Sequence, residues 1–190
     1  MRTVKDVFAD RTCSKYTDKP VSADLLKEIY DIMKLGPTSA NSCPLRIIFV
    51  QSKAQKEKLL KCMMEGNVEK TRMAPVSAIF AYDTKFYTKM DKIYPVSPAM
   101  KDFFASSESI ALDTANRNST LQAAYFMVVA RSLGLDCGPM SGLDAGAIEK
   151  EFLSETGFKV NFVCNLGYRD GDNPFPRLPK LDFVEVCKIV

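Results

Sequence analysis

The chain contains no histidine. Without it there can be no Ser–His–Asp triad, no Cys–His pair and no HExxH zinc site. The six cysteines, at positions 13, 43, 62, 137, 164 and 187, include no CxxC pair and no zinc-ligand spacing, so no metal centre is expected. Excess charge of one sign is also scarce: 26 Lys and Arg face 23 Asp and Glu, a formal net charge of +3. No concentrated basic block accompanies that balance, and no nucleic-acid partner is implied. The densest run, Lys53, Lys56, Lys58 and Lys61, is interleaved with Glu57 and reads as a solvated helix face. No GxGxxG follows a strand and no P-loop occurs, which speaks against a Rossmann or Walker nucleotide site. Long apolar runs are missing too. The best candidate, Ala123–Ala130, stops at Arg131, well short of the roughly 18 residues of a membrane span. Met1–Asp10 is charged and lacks an apolar core, so no signal peptide is read there. Reduced cysteines and a cytoplasmic location are the expectation.

What is present is ordinary soluble material. The 190 residues, 46% hydrophobic and 26% charged, suit one globular domain, here 1–190 with 169–190 as a C-terminal arm. A helix is expected from Ser22 to Leu35: Ser22 can cap it, Leu25, Leu26, Ile29, Ile32 and Met33 form one stripe, and Gly36–Pro37 stops it. Strands are expected at Arg46–Gln51, Pro75–Tyr82 and Val160–Tyr168. Ser52 with Gln55 suggests a capping box opening a helix over Lys53–Glu65, and a short helix should occupy Ala145–Phe152. Asn118–Leu133 reads as a long helix that is apolar over most of its circumference, which places it at the centre of the fold or in a subunit interface. Residues 83–117, rich in aromatics and prolines, fit either a covering lid or packing filler, with a helix near Lys101–Phe104. Helices interleaved with three or four strands make the class α+β.

Four segments stand out as possible chemistry. Gly36–Arg46, GPTSANSCPLR, is a small-residue loop that can approach a planar ligand and offer backbone N–H groups with Ser39 and Asn41. Asn67 and Lys70, three apart at or near a helix end, can project to one side. Gly138-Pro139-Met140-Ser141-Gly142 reads as a sharp turn that leaves a bare N–H at Gly142. Arg11 and Thr12 near one end of the chain, with Arg177 and Lys180 near the other, supply three cations and a hydroxyl suited to a phosphate monoester. Each alone is equally an ordinary turn, helix end or surface charge.

Together, and in this order, they resemble the nitroreductase superfamily of flavin enzymes, over essentially the whole chain. The resemblance is carried by GPTSAN at 36–41 with Arg46, Asn67 with Lys70, Ala74–Pro75, Arg117–Asn118–Ser119, GLDCGPMSGLD at 134–144 and RLPKL at 177–181. It is nearest the branch that includes malonic semialdehyde reductases. It implies an α+β fold with a central mixed sheet and flanking helices, and an intertwined homodimer with FMN at the subunit interface. By the same resemblance, Arg11, Thr12, Arg177 and Lys180 hold the phosphate. Pro37, Thr38, Ser39 and Asn41 reach the partner's flavin, Asn67 and Lys70 meet the pyrimidine edge, and Pro139, Met140, Ser141 and Gly142 lie at N5. No side chain is assigned as catalytic, because the flavin carries the chemistry.

The implied activity is hydride transfer from NADH or NADPH to a small-molecule electron acceptor, a nitroaromatic, quinone or aldehyde, by a ping-pong mechanism. Alternatives are malonic semialdehyde reduction as the physiological activity and flavin binding without useful turnover. Three positions depart from the common pattern: Ser14 stands where a basic residue is usual, Cys43 where Gln is usual and Ser141 where Glu is usual. All three agree with the semialdehyde-reductase branch.

Overall fold

β-branched and aromatic residues concentrate in three of the four strands that make up the sheet of the computed structural model, which describes residues 2–172 and 176–190. The strands are β1 (Leu45–Val50), β2 (Val76–Tyr82), β3 (Asp136–Met140) and β4 (Lys159–Gly167), in the order β1–β2–β4–β3. Every pairing among the described residues is antiparallel, so the sheet expected as mixed has no parallel pair within this chain. The reason lies in the connections. The helices between strands return the chain to lie beside its neighbour in the opposite sense, and no right-handed βαβ crossover joins adjacent strands.

β2 is central and buried along almost its whole length, and its alternation feeds two cores. Val76, Ala78 and Phe80 face α2 (Ala23–Met33) and the long helix α7 (Glu108–Ser132). Ile79 and Ala81 face α3 (Lys53–Leu60) and α8 (Ala145–Phe152), together with Leu59, Ile148 and Val163. Phe126 of α7 meets Phe80 edge-on, with centroids 5.3 Å apart. Burying a ring of that size contributes about 2–3 kcal/mol, which pins α7 to the sheet.

α7 begins ten residues earlier than its apolar pattern suggests, at Glu108 behind the Ser107 cap. Its first turns are rich in Asn, Asp and Thr, weak helix formers whose preference is overridden by packing. Ala111 and Ala115 there close a third small core with Phe86, Met90 and Phe104. Residues 83–117 thus have a core of their own, built by a 3₁₀ turn at Phe86–Lys89, α5 (Met90–Ile93) and α6 (Ala99–Ala105). Gly134, at φ +97°, ends α7 in a conformation that favours glycine.

Other elements differ from the sequence reading. The helix expected over 53–65 ends at Leu60, and a separate α4 runs Glu65–Met73. Ser52 caps α3 through Gln55 N–H, without the reciprocal half of a capping box. A first helix, α1 (Val4–Ala9), rests on a Thr3–Asp6 capping box. Of the segment 138–142, read as a turn, residues 138–140 belong to strand β3, and the chain turns only after them. Pro139 is tolerated there because β3 is at the sheet edge. The C-terminal arm, which includes the short α9 (Phe183–Val186), is exposed, with Leu181, Phe183, Val184, Val186, Ile189 and Val190 all open to solvent. Among the described residues no helix is long and apolar enough to cross a membrane.

Candidate functional site

The edge of the sheet at β3 is where the separated segments converge. The stretch before Tyr16 runs along β3, Cys13 N–H donating to the Cys137 carbonyl at 2.9 Å and Thr12 Oγ1 reaching the same oxygen at 3.5 Å. The approach is close enough to require glycine at 138. A Cβ there would lie 2.5 Å from Tyr16 Oη and 2.6 Å from the Cys13 carbonyl. The Tyr16 hydroxyl donates to that carbonyl at 3.1 Å, and burial pushes its pKa up, so the phenol stays neutral. Thr12 and Pro139, assigned to one site from distant parts of the sequence, line one hollow of about 300 Å³.

Beyond β3 the chain turns, with Leu143 N–H on the Ser141 carbonyl at 3.0 Å, and Leu143 bridges to Met63. The Gly142 carbonyl accepts two hydrogen bonds, from Met64 N–H at 3.1 Å and from Asn67 Nδ2 at 2.8 Å. The Gly142 N–H has no hydrogen-bond partner among the described residues and remains a donor for a ligand. Asn67 and Lys70 stand in α4, three residues apart, Asn67 in its first turn and Lys70 in its last. With Nδ2 on Gly142, Asn67 presents its Oδ1 as an acceptor. The ring-edge candidates and the turn candidates therefore form one contiguous unit.

The two ends of the chain also meet. Arg11 Nη1 donates to the Pro176 carbonyl at 2.9 Å. Arg177 Nη2 donates to the carbonyls of Phe8 and, at 2.8 Å, Asp10. Both Nη2 protons are thereby used in holding the end of α1, so a phosphate would meet Nη1 or Nε of Arg177. Lys180 is exposed. The loop Pro37–Asn41 lies elsewhere. Ser39 N–H donates to Asn118 Oδ1 at 2.8 Å, Tyr125 Oη to the Pro37 carbonyl at 3.1 Å and Asn41 Nδ2 to the Ile93 carbonyl at 2.6 Å. Thr38 Oγ1 accepts from Cys43 N–H at 3.3 Å. Among the described residues no hydrogen bond joins this loop to 67–70 or 139–142. Asn41 and Cys43 instead border a second hollow, of about 1030 Å³, between α2 and β1.

Three residues of this region gave no signal in the sequence. Arg169 donates to Asp136 Oδ1 at 3.0 Å and to the Arg11 carbonyl at 3.2 Å, fixing the segment that carries Arg11 and Thr12. Arg131 Nε and Nη2 are buried on the wall of the smaller hollow without hydrogen-bond partners among the described residues. Asn165, fully buried on β4, bonds upward into α4. Lys56 corrects the sequence reading outright: it lies buried, not on a solvated face, because its side chain runs inward under α4.

Comparison with known proteins shows the family and the fold. The model of the nitroreductase family matches residues 9–168. A Ralstonia nicotianae protein, provisionally named an NADH dehydrogenase/NAD(P)H nitroreductase, is 46% identical over 180 residues, covering 95% of this chain and 92% of the relative. A Polynucleobacter asymbioticus protein with the same kind of name is 47% identical over 180 residues, with 95% and 91% covered. Among solved structures, a nitroreductase-like protein from Exiguobacterium sibiricum in complex with FMN superposes with a TM-score of 0.87 at 20% identity, covering 99% of this chain and 97% of that one. That likeness shows the shared fold.

Proposed function

Since the chain belongs to the nitroreductase family, we propose that it is an FMN-dependent NAD(P)H oxidoreductase acting on an electrophilic small molecule. The observation that carries this reading is the single unit made by Asn67, Lys70 and the 139–142 turn, set beside the segment of Arg11 and Thr12. The donor set fits the cofactor. Gly142 offers an unpartnered N–H, Asn67 an amide oxygen and Lys70 a positive charge at one end. Arg11, Thr12, Arg177 and Lys180 supply cations and a hydroxyl at the other. Arg131, with its unpartnered guanidinium nitrogens, lines the hollow that Thr12 and Pro139 share.

When bound, FMN would supply two-electron hydride transfer between a nicotinamide and an acceptor that use the same face in turn. The protein's part is placement and charge. Gly142 and Asn67 would orient the ring, Lys70 would stabilise negative charge at its pyrimidine edge, and the basic residues of both chain ends would neutralise the phosphate. No protein nucleophile is required, in keeping with a chain that has no histidine. Homodimerisation belongs to the same proposal. α7 leaves Leu121 and Val128 exposed, and the arm exposes six more large apolar side chains between Leu181 and Val190. A second copy would cover them and bring its Pro37–Asn41 loop to the flavin.

Absorption bands at roughly 370 and 450 nm in the purified protein, those of any oxidised flavin, are the first test. Their absence from protein incubated with FMN and then freed of unbound flavin would overturn the reading. Steady-state NADH and NADPH oxidation with a nitroaromatic, a quinone and malonic semialdehyde in parallel then identifies the acceptor. Preference for the aldehyde is the outcome that Ser14, Cys43 and Ser141 favour. Reduction without turnover on any of the three would leave a flavin-binding protein. Sedimentation of a flavin-loaded monomer would remove the homodimer.

A further inference from the structure

We propose that Lys56 is a positioning residue for the flavin ring, its ammonium setting the polarity of a buried hydrogen-bond relay that fixes α4 and with it Asn67 and Lys70. The inference rests on the flavin reading above. Lys56 Nζ donates to Ser77 Oγ at 2.8 Å and to the Ala74 carbonyl at 3.0 Å. Ser77 Oγ donates to Asn165 Oδ1 at 2.6 Å, across the β2–β4 pair that places these two residues opposite each other. Asn165 Nδ2 donates to the Lys70 carbonyl at 3.0 Å and to Thr71 Oγ1 at 3.2 Å, and it lies 3.9 Å from Met140 Sδ. The relay thus starts on α3, crosses β2 and β4, and ends beneath the two elements that carry the ring-edge and turn residues.

An ammonium has donors and no acceptor. Ser77 must therefore accept from Lys56, which directs its own proton to Asn165 Oδ1. That in turn fixes the Asn165 amide with Nδ2 toward α4. Without the ammonium, the Ser77 hydroxyl is free to reverse and the amide to turn over. A reversed amide would set Oδ1 against the Lys70 carbonyl, two acceptors facing each other in a buried site. The Ala74 carbonyl stands at the C-terminal end of α4, the negative end of its dipole, so the charge also anchors that end.

The groups that Lys56 Nζ meets are neutral, the Ala74 carbonyl at the end of α4 and Ser77 of β2, and Asn165 and Thr71 follow Ser77 in the relay. The charged pair linking α3 and α4, Glu57 with Arg72, is at the surface, as is Glu69 beside it. Lys56 makes no ion pair among the described residues, and burial lowers its pKa to about 8. A charge buried without a counter-ion costs stability that a methionine of similar length would not. Its place in the core is explained by what it orients.

The test compares FMN with riboflavin, which has the same ring and no phosphate, in titrations of the full-length protein. Lys56→Met should weaken both ligands equally, by about tenfold, the loss of roughly one well-made hydrogen bond. Ser77→Ala interrupts the relay with a smaller change to the core and should act in the same way, which covers a Lys56→Met chain that does not fold. In an Asn67→Ala background the Lys56→Met effect should shrink below about threefold, because the residue it positions is gone. Wild-type affinity for both ligands should fall as pH rises through about 8, and Lys56→Met should abolish that dependence. Unchanged binding in folded Lys56→Met, or a full tenfold loss in the Asn67→Ala background, would overturn the proposal and leave the flavin reading intact. A wild-type protein that bound neither ligand would remove both.

Discussion

At one end of the proposed flavin site, Asn67, Lys70 and Gly142 stand on a buried polar relay; at the other, Arg11, Arg177 and Lys180 stand at the surface. The first end is specified from below. Ser77 and Asn165 are fully buried, Lys56 nearly so, and each hydrogen bond in the relay determines the direction of the next. The second end is held by guanidinium groups on backbone carbonyls, Arg11 on Pro176 and Arg177 on Phe8 and Asp10. Buried relays are costly to satisfy and rigid once satisfied. Exposed cations are cheap to place, weak when paired at the surface, and strong only once an anion is bound. One end should therefore recognise a ring by shape and the other a phosphate by charge.

The largest effect should come from breaking the seam that joins the two ends. Gly138→Ala forces a Cβ to within 2.6 Å of the Cys13 backbone carbonyl, which cannot swing aside. We expect about 3 kcal/mol of destabilisation in chemical denaturation, with FMN and riboflavin binding both lost. Next is the surface end. Arg177→Ala with Lys180→Ala should weaken FMN about a hundredfold, or about 2.7 kcal/mol, and riboflavin less than about threefold. Equal weakening of both ligands would show that the hold of Arg177 on Phe8 and Asp10 is its main service.

At the ring end, Lys70→Met should make the bound flavin harder to reduce. A charge about 4 Å from the reduced ring contributes up to roughly 4 kcal/mol at an effective dielectric near 20, and solvent reduces this to about 1.4–2.8. The potential should drop by roughly 30–60 mV, and spectroelectrochemistry showing no change would place Lys70 off the ring. The smallest expected effect concerns the unliganded protein. Burial lowers the Lys56 pKa to about 8 from an ordinary 10.5, so between those values the unfolded chain binds more protons than the folded one. Stability then rises with pH across that window, and the penalty is present in full below about 8. Against Lys56→Met, the wild type should gain roughly 1.5 kcal/mol between pH 8 and about 9.5 in urea titrations.

Some of this architecture was legible in the chain because its causes are local. β1, β2 and β4 announce themselves by β-branched and aromatic runs, α2 by one apolar stripe behind Ser22, and α8 by its periodicity after Asp144. The absence of histidine and the spaced motifs from Arg11 to Lys180 sufficed to point to a flavin enzyme and to nominate residues for its proposed site. Where the cause is distant, local pattern misleads. GPMSG at 138–142 reads as a turn because glycine and proline favour turns, yet its first three residues are strand because the sheet edge tolerates proline and Tyr16 needs the space at Gly138. Lys56 reads as surface because lysine usually is. It is buried because α4 folds over it and the carbonyl of Ala74, eighteen residues further on, accepts from its ammonium. Asn165 looks like one polar residue in an apolar strand, and only the pairing of β2 with β4 sets it opposite Ser77. Composition, periodicity and motif order, which act through neighbours along the chain, determined the class, most elements and the candidates for the site. Which groups share a desolvated interior, and so must satisfy one another, depends on residues far apart in sequence, and only the tertiary structure decided it.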